Sequence, residues 1–380
     1  MIYLDYAATT PMSERALTAY TDTATTYYGN PSSLHDAGTS AHTIVELCRK
    51  KLAASLGVKE GIYFTSGGTE SNQLGITTLA LAQKEKGRHI ITSRGEHASV
   101  HSALSYLVHD HGFEVTELKF TSEGEVDLEE LAHHLRDDTV LVSFQHINSE
   151  NGVIQPIQHI AEMIKGRDIL FHSDFVQSFG KIRLDEVIEH VDAVSISSHK
   201  LYGPKGVGLL YIRPSVPVSP LFPVVTQEKG MRGGTINTPG ISSFTVAAMD
   251  HVESLHSEHY WSLRTIFIHA LQEQNVPCTL YEHSLKSKQL PQVVGLRIHG
   301  VQGQWMMLEL NKRGFAISTG SACHVGLLDK PALIYAMDGT DQEGKEFIRI
   351  SFGEKTVKSD LLTLANSIKD IYNQYFRLEE

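Results

Sequence analysis

The sequence predicts an α/β protein: a mainly parallel seven-stranded sheet with helices on both faces, joined to a smaller α+β domain. Three observations carry this. Between residues 15 and 249, short apolar runs alternate with stretches of helical apolar spacing, the pattern of βαβ units whose sheet is covered on both faces. From residue 250 onward the pattern changes to long helices with few strands. The chain has 380 residues, enough for roughly two or three domains of ordinary size, so both parts can bury a core. The expected division is a large domain over 15–249 and a small one built from 1–14 and 250–380.

The elements follow in order. Thr39 to Leu56 carries Ile44, Leu47, Leu52 and Leu56 at helical spacing, and Gly57 supplies the left-handed stop. Strands are expected at Gly61 to Phe64, His89 to Thr92, Val115 to Leu118, Val140 to Phe144, Ile169 to His172, Ala193 to Ile196 and Val207 to Ile212. Several end in polar residues. Open parallel sheets bind ligands outside the carboxyl ends of their strands, so those ends are where chemistry is sought. In the small domain, helices are expected at Trp261 to Glu273 and Gln304 to Lys312, and strands at Val293 to Ile298, Phe315 to Ser318 and Phe347 to Phe352. An amphipathic helix carrying Leu361, Leu362, Leu364, Ile368 and Ile371 closes the chain.

Composition excludes several classes. Lys plus Arg is 33 against 44 Asp plus Glu, and a net charge of -11 disfavours direct nucleic-acid binding. No apolar run approaches the length of a membrane span, and Met1 to Tyr6 lacks the pattern of a secretory signal, so a cytoplasmic protein is expected. Cys48, Cys278 and Cys323 form no CxxC pair, which argues against a disulfide framework or zinc ribbon. The 21 histidines include His97 and His101, four apart, and His109-Asp110-His111, but no HExxH, and no metal site is expected. Any important cysteine acts alone.

Three features carry chemistry. Thr65-Ser66-Gly67-Gly68-Thr69-Glu70-Ser71-Asn72 follows a strand and opens a helix, so its backbone N–H groups and hydroxyls suit a phosphate; the plain alternative is a glycine turn with a Thr cap. Lys200 follows Ser197-Ser198-His199 at a strand end, where a lowered pKa would let it form an imine with an aldehyde; the alternative is a solvated loop lysine. Asp174 ends the preceding strand and can hold a pyridinium nitrogen protonated; alone, it reads equally as a helix N-cap. The combination shifts the balance. A phosphate cradle, an imine-forming lysine and an acidic strand end on one sheet are what pyridoxal 5'-phosphate requires.

At this point the chain resembles a known family. Tyr3-Leu4-Asp5-Tyr6-Ala7-Ala8-Thr9-Thr10, Gly29-Asn30-Pro31-Ser32-Ser33, Phe64 to Asn72, Glu96-His97, His172 to Gln177, His199-Lys200-Leu201-Tyr202-Gly203-Pro204-Lys205-Gly206 and Gly320-Ser321-Ala322-Cys323 occur in order. Over nearly its whole length the sequence is similar to the NifS/IscS cysteine desulfurases, in the class V branch of fold type I pyridoxal-phosphate enzymes. The resemblance implies that Lys200 bonds the cofactor aldehyde, Asp174 pairs with its ring nitrogen, Gln177 bonds the ring hydroxyl and His97 stacks on the ring. It implies that Gly68, Thr69, Ser197 and His199 hold the phosphate, with Thr235 reaching in from a second subunit of a homodimer. Arg349 would clamp the substrate carboxylate, with Asn148 also on the substrate and Ser149 on the cofactor. Two departures stand out: Asn148-Ser149-Glu150 replaces the usual Asn-Asn-Glu, and Val224-Val225-Thr226-Gln227-Glu228 replaces a glycine-rich run before Arg232-Gly233-Gly234-Thr235.

The implied reaction converts L-cysteine to L-alanine, leaving a persulfide on Cys323 for a sulfur-acceptor protein, an iron-sulfur scaffold or a thiolation enzyme. Cys323 lies among small residues between an expected strand and helix, a stretch expected to let the thiol travel. The attacking species is the thiolate, which a nearby cation such as protonated His97 or His324 favours. Cys48 and Cys278 have no such context. The competing readings are a sister enzyme with the same cofactor, such as an aminotransferase or selenocysteine lyase, and a non-catalytic cofactor-binding scaffold. An aminotransferase needs no thiol, so Cys323 separates the two enzymes.

Overall fold

The computed structural model describes residues 1–222, 224–253, 257–320 and 331–379. In chain order the strands are β1 (Ile2–Tyr3), β2 (Ile62–Thr65), β3 (His89–Ser93), β4 (Glu114–Leu118), β5 (Thr139–Gln145), β6 (Leu170–Asp174), β7 (Ala193–Ser197), β8 (Gly208–Ile212), β9 (Cys278–Tyr281), β10 (Val293–Ile298), β11 (Phe315–Ala316) and β12 (Phe347–Ser351). Seven of them form one sheet in the order β2-β8-β7-β6-β5-β3-β4. All seven expected strands are present. β4, β3, β5, β6 and β7 run parallel, whereas β8 is antiparallel to both β7 and β2. Only residues 198–207 separate β7 from β8, too few for a helical crossover, so the chain must reverse.

Strands β3, β5, β6, β7 and β8 are buried at every residue, as expected where helices cover both faces. On one face the Asp36–Ser55 helix sets Val45, Cys48 and Leu52 against Phe64, Phe144, Phe171 and Phe179. On the other the Gly68–Gln83 helix contributes Leu74, Ile76 and Leu79, packed with Ile90, Leu141 and Leu210. His172 is buried inside β6, bridging the hydroxyls of Ser143 and Ser195 at 2.9 Å each. Burial pushes its pKa down to about 3, so the ring is a neutral crosslink.

A separate apolar cluster joins Phe267, Leu271, Val294, Leu296, Ile348, Leu364 and Ile368, and it includes Leu4. Its sheet is antiparallel, in the order β12-β10-β9, and the Ser257–Glu273, Gly303–Lys312 and Lys358–Glu379 helices contribute to the cluster. β1 pairs in parallel with β11, which ties the start of the chain to this region. Strand β9 was not expected. It follows Pro277, is half-buried along its length and pairs only with β10, so it lacks a long apolar run. No described helix is long and apolar enough to cross a membrane. Among the described residues no cluster of three His, Cys, Asp or Glu side chains is placed to hold a metal ion.

Candidate active site

The carboxyl ends of β2, β5, β6 and β7 converge on a cavity of about 280 Å³. Its wall includes Gly68, Thr69, His97, Ser149, Asp174, Gln177, Ser197, His199, Lys200 and Arg349. These expected site residues come from separate stretches of sequence and meet in one place. Gly320 and Ala332 also line it, and between them lies Cys323, which falls outside the described residues.

The phosphate end begins where β2 stops. Gly67 takes φ 150°, a conformation L side chains rarely adopt, and the Gly68–Gln83 helix opens with no side-chain cap. The Thr cap of the plain alternative does not form. Thr65 Oγ1 instead pairs with Ser71 Oγ at 2.7 Å, so the first-turn N–H groups remain for a ligand. Across the cradle, Ser197 Oγ is buried with no partner among the described residues. An orphaned hydroxyl facing uncapped amides fits a bound phosphate. His199 joins the same wall, with Nδ1 3.1 Å from Thr9 Oγ1. Burial and the neighbouring Lys200 and Lys205 push its pKa down to about 4, which keeps it neutral.

Lys200 closes a single turn of Ser198–Lys200 after β7. Its Nζ donates to the carbonyls of Ala7 and Ala8, 2.7 Å each, which aims the amine along the cavity floor. Gly203 allows the turn, since a Cβ there would lie 2.1 Å from Ser198 Oγ. No helix directly follows Asp174, so it caps none: Oδ1 accepts the Val176 N–H at 2.8 Å in a turn, while Oδ2 accepts from Asn72 Nδ2 at 2.7 Å on the cavity wall. Gln177 donates through Nε2 to Ala7 O at 2.9 Å, and its Oε1 accepts from Lys181 Nζ at 2.7 Å.

Arg349, on β12, reaches in from the second sheet. One arm donates to Asp5 Oδ1 at 2.8 Å and the other to Ser149 O at 3.2 Å, while Nε is buried with no partner among the described residues. Two expected residues stand elsewhere. Asn148 does not line the cavity: its Oδ1 accepts the N–H groups of Glu150 and Asn151 and so shapes the turn. Thr235 is exposed and lies outside the wall of its own chain's cavity.

Sequence reasoning gave no role to three titratable groups: Glu96 and Glu150 on the cavity wall, and Lys181, which donates to Gln177. Glu96 is buried with Ser93 Oγ at 2.5 Å and the Gln145 N–H at 2.9 Å, and burial still raises its pKa to about 8. Glu150 receives the Leu333 N–H at 2.6 Å, and burial raises it to about 7. Lys181 falls to about 7 through burial and the nearby charges of Lys200 and Arg349. Glu96 and Glu150 lie in segments compared with the family, but nothing in the spacing of any of the three signals a shifted pKa.

The aminotransferase class-V family model matches residues 2–364. A Bacillus subtilis (strain 168) protein named "Putative cysteine desulfurase NifS" is 45% identical over 98% of this chain and 95% of its own length. The cysteine desulfurase IscS of Dictyoglomus turgidum is 38% identical over 95% of this chain and 91% of its own. Among solved structures, a NifS-like protein superposes with TM-score 0.89 at 32% identity, covering 98% of this chain and 99% of that one. A structure of SspA in complex with cysteine gives TM-score 0.80 at 31% identity, over 94% and 100%. With this agreement of cavity, fold and sequence over nearly its whole length, the chain belongs to the aminotransferase class-V family, in its pyridoxal-phosphate-dependent NifS/IscS cysteine desulfurase branch.

Proposed function

We propose that this cavity removes sulfur from L-cysteine, leaving L-alanine and a persulfide on Cys323. Activity of this class follows from the family; the assignment of residues is our reading. When bound, pyridoxal phosphate supplies an aldehyde for an amine and a ring that delocalises the electrons left when the α-proton is removed. Gly68, Thr69, Ser197 and His199 would hold its phosphate, Asp174 its ring nitrogen, Gln177 its hydroxyl and Lys200 its aldehyde, with Ser149 beside it. Lys200 Nζ, seated on the Ala7 and Ala8 carbonyls, is the base placed to take the substrate α-proton. Arg349, steadied by Asp5, offers a planar fork to the substrate carboxylate. Asn148 acts on the substrate only indirectly, through the turn that carries Ser149. The Cys323 thiolate forms a bond to the substrate sulfur as the carbon–sulfur bond breaks, and the carbon retains that electron pair and is protonated. Alanine leaves, and the outer sulfur passes to an acceptor protein, an iron-sulfur scaffold or a thiolation enzyme.

We place the protein in the cytoplasm, where a working thiol stays reduced. We read it as a homodimer, because Thr235, which the resemblance assigns to a second subunit's phosphate, is exposed and does not line its own chain's cavity. The division into a 15–249 domain and a domain of 1–14 with 250–380 agrees with the separate cluster around Leu4 and Ile348. One observation carries the reading: Lys200, Asp174 and Arg349 share a cavity whose wall includes both Gly320 and Ala332, which flank the stretch holding Cys323. The test is Cys323→Ala given L-cysteine, with loss of sulfide release expected and the cofactor's visible band retained. Release at the wild-type rate would end the persulfide assignment. Sedimentation of the active enzyme as a monomer would end the dimer.

A further inference from the structure

On the cavity wall, His97 and Asp174 are joined by two side chains, Asn72 and Ser99, that no part of the reaction above employs. We propose that Asn72 and Ser99 are positioning residues that hold His97 as its Nε2–H tautomer and tie it to Asp174 along one directed hydrogen-bond path, a role that rests on His97 and Asp174 serving the cofactor as read above. Asn72 Nδ2 has two protons: one goes to Asp174 Oδ2 at 2.7 Å, the other to Ser99 Oγ at 2.9 Å. Turning the amide over would set its oxygen against a carboxylate, so chemistry fixes the orientation. Because Ser99 Oγ accepts from Asn72, its own proton is left for His97 Nδ1, 2.7 Å away.

The backbone settles the direction. Ser99 N–H also points at His97 Nδ1, at 3.1 Å, and an amide N–H can only donate. Nδ1 therefore carries a lone pair, and the single proton of the neutral ring sits on Nε2. His97 presents a hydrogen-bond donor at that nitrogen, with its ring orientation set by the start of the Ala98–His111 helix. The thiolate-assisting imidazolium expected from the sequence is disfavoured, since a proton on Nδ1 would face the amide.

Stability alone does not explain Asn72. It sits inside a helix, where Asn is a poor former, at 1% exposure, and its Oδ1 is buried with no partner among the described residues. An apolar residue would avoid that cost. What Asn72 provides is two diverging donors from one rigid amide, reaching β6 on one side and the Ala98–His111 helix on the other.

The test uses the cofactor-loaded enzyme with 15N-labelled histidine, the His97 signals being assigned by their loss in His97→Gln. We expect an unprotonated Nδ1 and a protonated Nε2 in the wild type, moving toward a mixed population in Ser99→Ala and Asn72→Leu. Ser99→Ala should lower kcat about tenfold with KM within about twofold, and should have no further effect in a His97→Ala background. Ser99→Thr, which keeps the hydroxyl, should restore kcat. A protonated Nδ1 in the wild type overturns the proposal, and so does a Ser99→Ala loss as large without His97 as with it. If the variants do not fold, the wild-type ring signals still decide. Failure of the desulfurase reading is distinct: it would appear as a protein with no visible band and no alanine production, whatever the tautomer.

Discussion

Gly208 is the residue on which the phosphate cradle closes. It is in register with Thr65 of β2 and with Ser197 of β7, the two strand ends that flank the cradle. A Cβ there would lie 2.6 Å from Ile196 O, 2.7 Å from Gly67 Cα and 2.8 Å from Gly67 C. All three are backbone atoms, so no side chain can turn away. Restoring ordinary contact near 3.5 Å requires the Gly67 turn or β7 to move by about 0.8 Å. Such overpacking costs about 1–3 kcal/mol, and the displacement falls on the amides proposed to hold phosphate. Gly208→Ala should therefore lower Tm by a few degrees and weaken cofactor binding about tenfold or more, read by titrating the cofactor-stripped protein and following its visible band. Binding within twofold of wild type, at unchanged Tm, would refute the claim that this backbone contact sets the cradle.

Other sites test separate parts of the argument. Glu228, its side chain 2% exposed, accepts both arms of Arg49 at 2.8 Å and the Phe64 N–H at 2.8 Å. Arg49 is about a fifth exposed, so Glu228→Ala should cost about 2–4 kcal/mol in denaturant unfolding, somewhat less than a fully buried pair; a cost below about 1 would contradict the pairing. Lys181 is pushed down from 10.5 to about 7, so its buried charge destabilises the fold fully below about pH 7 and fades as pH rises toward 10.5. Any stability advantage of Lys181→Met should accordingly shrink between about pH 7 and about pH 9.5, and a constant difference across that window would show that Lys181 is not perturbed. Arg349→Lys keeps the charge but loses the planar fork and one charge-assisted bond; KM for L-cysteine should rise about 10- to 100-fold, and an unchanged KM would remove Arg349 from the substrate carboxylate.

The large sheet was legible because its strands are buried on both faces, and such strands must be written in apolar residues. Val140 to Phe144 and Ala193 to Ile196 announce themselves in this way. The antiparallel direction of β8 was less visible, since it depends on the short link of residues 198–207 rather than on composition. Strand β9 escaped because an edge strand buries less of itself. Lys200 and Asp174 were legible for a different reason: a polar residue at the carboxyl end of an apolar run stands where this architecture places ligands.

The groups that escaped share a property. The contacts of Asn72 with Asp174 and Ser99, and of Glu96 with the Gln145 N–H, form only after the sheet has brought distant segments together, and none of those pairings has a fixed spacing. Asn72 and Asp174 are 102 residues apart and within 2.7 Å. In the linear sequence Asn72 reads as the last polar residue of a glycine turn. Its meaning appears only when β6 and the Gly68–Gln83 helix lie side by side and its amide has one carboxylate and one hydroxyl within reach. A strand end can be read from its neighbours in the chain, whereas a buried donor must be read from what the fold sets against it. Asn148 shows the converse: its motif suggested a substrate contact, but the nearest acceptorless N–H groups were those of its own turn, and its side chain went to them.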